Sequence, residues 1–126
     1  MIPKPIPRKT EKRRRKAAES AVIKSVRLEV MRRDSHLCRA RYMREPCSGP
    51  LEWAHLGDNR RWKTRGMAPE KRHTTKGSLC LCKTHHALYD SGSRKTGERM
   101  SIMQRTDAGA DGPLSFRFRD NIYEEQ

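Results

Sequence analysis

The chain has little from which to build a core and too little acid to balance its base. Only 33% of its 126 residues are hydrophobic, and mean hydropathy is −1.04. Any core is therefore small, and a small core calls for a staple. No apolar run approaches the ~20 residues of a membrane-spanning helix. Met1-Ile2-Pro3-Lys4 does not open the apolar stretch of a secretory signal either. These absences exclude a membrane partner and predict a soluble, cytoplasmic chain. Asp and Glu number 15 against 29 Lys and Arg, which gives a net charge of +14 and a pI near 10.3. An imbalance of that size points to a polyanionic partner, most often nucleic acid. Cysteines are also few, four in all. In a reducing compartment, four are better explained by a metal than by disulfides.

Pro3, Pro5 and Pro7 keep the first residues extended, so residues 1–10 are expected to form a disordered basic arm, with one domain over 11–126. From Thr10 the helix breakers vanish. Ala18, Val22, Ile23, Val26 and Val30 then recur at three- and four-residue intervals, which predicts an amphipathic helix ending near Arg33. Asp34-Ser35 turns the chain toward Cys38. Leu51, Trp53 and His55 alternate with Glu52, Ala54 and Leu56, the period of a strand, so Glu52 points away from His55. Residues 57–77 read as a long polar loop. A second strand over Ser78–Cys82 runs into a short helix from Lys83 to Ser91, closed by Gly92. Alternation over 99–104 and 114–118, around Gly109, Asp111 and Gly112, predicts a C-terminal β-hairpin within about 99–119.

The densest chemistry lies in Cys82-Lys83-Thr84-His85-His86. A Cys and a His three positions apart at a helix start can close on one Zn²⁺, and His86 cannot face the same way as His85. A closed tetrahedral site needs four ligands, and Cys38, Cys47, Cys82 and His85 supply three thiolates and an imidazole. Cys80 is a rival, because strand alternation puts it on the face of Cys82; its other reading is a small residue packed beneath a helix.

Val30 to Cys38, then Ala54-His55, then Leu81-Cys82-Lys83-Thr84-His85-His86 resemble the HNH nuclease family. The resemblance covers about 26–92 and implies an α+β fold, a small zinc-stapled ββα-metal core of treble-clef-like form. In this fold the N-terminal helix precedes the core and the C-terminal hairpin follows it. It further implies a metal-dependent endonuclease acting on DNA, with a structural zinc and a catalytic Mg²⁺ or other divalent ion. By position, His55 is then the general base, a role an imidazole suits because it titrates near neutrality. His86 becomes a ligand of the catalytic ion, with Asp90, four residues on and on the same helical face, either completing that site or capping the helix. His85 and His86 could exchange roles, although spacing from Cys82 favours the first assignment. The sequence departs from the family at Ala54, where a ligand often stands, and near Gly77 and Ser78, where an Asn is usual; His73 could occupy an equivalent place. His36 reads as structural. Proteins of this kind and size are frequent in phages and mobile elements, which suggests such an origin.

Three basic clusters offer phosphate contacts: Arg13–Lys16, Arg39–Arg44, and the run Arg60, Arg61, Trp62, Lys63 and Arg65, in which Trp62 can stack on a base. Two other functions fit the same residues, a non-catalytic zinc-containing nucleic-acid-binding module and a basic adaptor held together by zinc. Whether the protein is a monomer or a homodimer does not follow from the sequence.

Overall fold

A computed structural model describes residues 8–57 and 64–126. Helix α1 (Arg8–Arg33) opens the described chain. It begins earlier than the sequence predicts, so residues 8–10 belong to the helix and not to an arm. Nothing after Pro7 breaks a helix, and Glu11 in the first turn favours the positive end of the helix dipole. The rest of the expected arm lies outside the described residues. The apolar stripe of α1 is covered only toward its C-terminal end. Ala18 is exposed, Val22, Ile23 and Val26 are half-buried, and Val30 is fully buried.

Strands β1 (Leu51–His55) and β2 (Ser78–Cys82) form an antiparallel hairpin in which Trp53 faces Cys80 and His55 faces Ser78. Directly opposed residues share a face. Trp53, His55, Ser78 and Cys80 therefore lie on one side, where Cys80 Sγ meets the Val30 carbonyl and Met31 of α1. Ala54, Leu79 and Leu81 lie on the other side, in the main core. Between the strands the expected loop contains a one-turn helix, α2 (Pro69–Arg72). Pro69 supplies the fixed φ that suits the first turn.

Helix α3 (Lys83–Asp90) follows β2 without a break. Cys82 caps it, with Sγ accepting the His85 amide at 3.4 Å. At the other end the Gly92 N–H donates to the Ala87 carbonyl from a left-handed φ of 85°. A side chain at 92 would come within 2.9 Å of the Gly97 carbonyl, so the helix stops where glycine is required.

The C-terminal segment is a three-stranded antiparallel sheet, not the expected hairpin: β3 (Ser101–Gln104), β4 (Leu114–Phe118) and β5 (Asn121–Glu124), with β4 central. The missed strand inverts the usual pattern, because Ile122 faces solvent and its neighbours Asn121 and Tyr123 are the half-buried ones. Leu114, Phe116 and Phe118 pack with Leu79, Leu81 and Tyr89, so both sheets and α3 share one core.

Asp34, at the end of α1, ties these parts together. Its carboxylate accepts from Arg33 at 2.8 and 3.0 Å, from Arg39 at 3.3 Å and from the Cys80 amide at 2.9 Å. Arg33 continues to the Ser78 carbonyl, and Arg39 to the Ala110 carbonyl and Glu125.

Candidate active site and metal centre

Cys38, Cys47, Cys82 and His85 converge as the sequence predicts, their donor atoms all within 4.8 Å of one another. Nδ1 of His85 lies 3.3, 3.6 and 3.1 Å from the sulfurs of Cys38, Cys47 and Cys82. A tetrahedral zinc with these ligand types has N···S edges of about 3.6 Å, so the cluster fits one ion with little adjustment. Nε2 of His85 donates to the Glu45 carbonyl at 2.9 Å, which leaves the Nδ1 lone pair facing the sulfurs. Burial lifts the Cys38 thiol to about 12, so three thiolates coexist here only around a cation. Cys82 is lowered instead: burial raises it, but the His85 and Ser48 amides stabilise its thiolate. Cys80 stays out of the cluster, on the α1 face of the hairpin. Cys82, the last residue of β2 and the N-cap of α3, carries its sulfur into the cluster.

His55, at the end of β1, opens onto a cavity of about 430 Å³ lined by Lys16, Glu19, Ser20 and Ile23 of α1, Arg72 of α2, and His73. Its ring lies 4.4 Å from that of Trp53, and its Nε2 is 3.3 Å from Nδ1 of His73. Nε2 of His73 in turn lies 3.1 Å from Glu19, which also accepts from Arg72 at 3.3 Å. Burial first, then the charges of His73, Arg72 and His86, pull the proton affinity of His55 down to about 4. His55 is therefore a neutral base throughout the physiological range. Lys16 and Arg72 set positive charge beside it.

His86 stands on α3 between two carboxylates. Its Nδ1 is 2.9 Å from Glu52 and its Nε2 is 3.1 Å from Asp90. Asp90 shares the face of His86, as i and i+4 require. Ala54 is buried in the core and offers no ligand, but Glu52, on the same face of β1 two residues earlier, reaches His86. His55 and His86 thus come to the hairpin from opposite faces, close enough for the charge on one to act on the other.

Arg65 is exposed, whereas Arg60, Arg61, Trp62 and Lys63 lie outside the described residues. One basic cluster needs correction. Arg39 is buried and bound to Asp34 and Glu125, so it belongs to the core network and is closed to phosphate. Glu19, Glu52 and Arg72 join the site without having been expected there. For Glu52 the signal was present, since it shares the strand face of Ala54; for Glu19 no local signal exists. The family model for HNH endonuclease matches residues 7–93, from the start of α1 to just past α3. No curated protein and no solved structure matches the chain.

Proposed function

Because the chain belongs to the HNH endonuclease family, we propose that it is a metal-dependent endonuclease that hydrolyses DNA phosphodiester bonds. The observation that carries this reading is His55, a base kept neutral by its surroundings, lining a cleft with Lys16 and Arg72. His55 takes a proton from water as the water oxygen attacks phosphorus; the bond from phosphorus to the 3′ oxygen breaks, leaving a 5′ phosphate. Lys16 and Arg72 face the phosphate, and the exposed basic residues of α1 with Arg65 hold the flanking backbone through charge alone.

His86 and Asp90, with Glu52 in place of the ligand absent at Ala54, would hold the catalytic ion. An Mg²⁺ or similar ion held there would supply positive charge for the scissile phosphate and the departing 3′ oxygen. One imidazole and two carboxylates suit such a hard ion. Cys38, Cys47, Cys82 and His85 would hold a structural zinc that ties the start of α3 to the segment between α1 and β1.

A second reading rests on one observation. Both nitrogens of His86 are engaged by carboxylates, and Ala54 supplies nothing. A nucleic-acid-binding module that keeps the zinc and has lost the catalytic ion would look the same. Plasmid nicking in Mg²⁺, Mn²⁺ or Ni²⁺ separates the two. Cleavage by the wild type that disappears in His55→Ala supports the nuclease; DNA binding without cleavage in any metal supports the module.

A further inference from the structure

With both imidazoles neutral, the three groups behind His55 form a chain in which each hydrogen bond has one direction. A carboxylate can only accept, and Glu19 already takes an N–H from Arg72 at 3.3 Å. The 3.1 Å contact from Glu19 therefore places a proton on Nε2 of His73. A neutral imidazole carries one N–H, so Nδ1 of His73 has the lone pair and accepts. The 3.3 Å contact to Nε2 of His55 is then an N–H donated by His55. That leaves Nδ1 of His55 without a proton. Trp53 lies beside both rings, its centroid 4.4 Å from that of His55 and 5.5 Å from that of His73.

Resting on the nuclease reading, we propose that Glu19 fixes, through His73, the tautomer of His55, and so selects Nδ1 as the atom that accepts the proton of the attacking water. Glu19 and His73 are positioning residues and touch no reacting atom. When Nδ1 takes its proton, His55 becomes an imidazolium whose Nε2–H still points at His73. The negative charge of Glu19 then favours the charged ring through the intervening imidazole. The base is thus set by a His whose own tautomer is set from α1, 54 residues away in sequence.

Imidazole ¹⁵N NMR of the full chain tests the tautomer directly. The wild type should show a pyridine-type Nδ1 and a pyrrole-type Nε2 on His55, and Glu19→Ala should convert this into a mixture. A pyrrole-type Nδ1 in the wild type overturns the proposal. In cleavage assays Glu19→Ala should lower kcat at least about tenfold, with KM for DNA unchanged or smaller because a negative charge has left the cleft. His73→Asn places a carbonyl oxygen where Nδ1 stands, so it should keep cleavage that His73→Ala loses. In the His73→Asn background, Glu19→Ala should cost less than about twofold. An equal loss of kcat in both backgrounds means that Glu19 acts otherwise and sinks the proposal. The tautomer measurement needs no activity. A wild type with the expected NMR pattern but no cleavage in any metal would therefore remove the nuclease reading while the relay stands.

Discussion

The carboxylate of Asp34 accepts the backbone amide of Cys80 at 2.9 Å, across 46 residues of sequence. The same side chain, 2% exposed, holds Arg33 and Arg39. Removing it in Asp34→Ala leaves the Cys80 amide without its acceptor and takes the buried carboxylate from two guanidinium groups, which keep Asp111 and Glu125 as counter-charges. The expected cost is about 3–5 kcal/mol, read as a shift in the urea midpoint. Asp120→Asn, at the exposed turn before β5, should stay within about 0.5 kcal/mol and serves as the control. Equal midpoints for the two variants would show that the network adds little.

Cys47→Ser and Cys82→Ser should each lose the structural metal, measured as zinc per chain after desalting. Cys80→Ser should keep it in full while losing some stability, because it places a hydroxyl in the packed layer between α1 and the hairpin. Zinc loss in Cys80→Ser alone would mean that the ligand set is wrong.

Glu52→Gln should raise the divalent-ion concentration needed for half-maximal cleavage by at least about tenfold, if Glu52 helps to hold the catalytic ion at His86. Asp90→Asn should do the same and His86→Ala should abolish cleavage. An unchanged ion requirement in Glu52→Gln would reduce Glu52 to a neutralising neighbour of His86.

The pH profile follows from the lowered proton affinity of His55. Burial and then the charges of His73, Arg72 and His86 hold it at about 4, against an ordinary 6.5, while Glu19 lies beyond His73 on the far side. The base is the neutral form, so cleavage should survive well below pH 6.5 and fall off as pH approaches 4. Stability moves in the same direction. Between about 4 and 6.5 the unfolded chain holds this proton and the folded chain does not, so acidification favours unfolding and the contribution is fully present only above 6.5. A His55 NMR titration with a midpoint near 6.5 would contradict both statements.

The parts legible in the sequence are those whose signal is local. The spacing of Cys82 and His85, the alternation of β1 and β2, and the i, i+4 step from His86 to Asp90 each need only a few neighbouring residues. What escaped depends on distant partners. Nothing around Glu19 distinguishes it from Glu11 or Glu29, and its place behind His55 arises only when α1 lies along α2. Alternation could not separate Cys80 from Cys82, because the difference lies in the backbone. Cys82 ends the strand and caps α3, and its sulfur lies with those of Cys38 and Cys47. Arg39 read as one member of a surface cluster, and its partners up to 86 residues later in the chain, Ala110 and Glu125, make it internal.

The cleft beside His55 has its two walls, α1 and the His73 segment, far apart in the order of synthesis. A ribosome completes α1 while the segment carrying His73 is still unmade, and the last anchor of Arg39 arrives with Glu125. The emerging helix is rich in like charge and has few apolar contacts of its own to hold it. The partly made chain therefore has neither an oriented base nor a closed groove. The site is assembled only once the His73 segment has been made, and Arg39 is fully anchored only once Glu125 has followed.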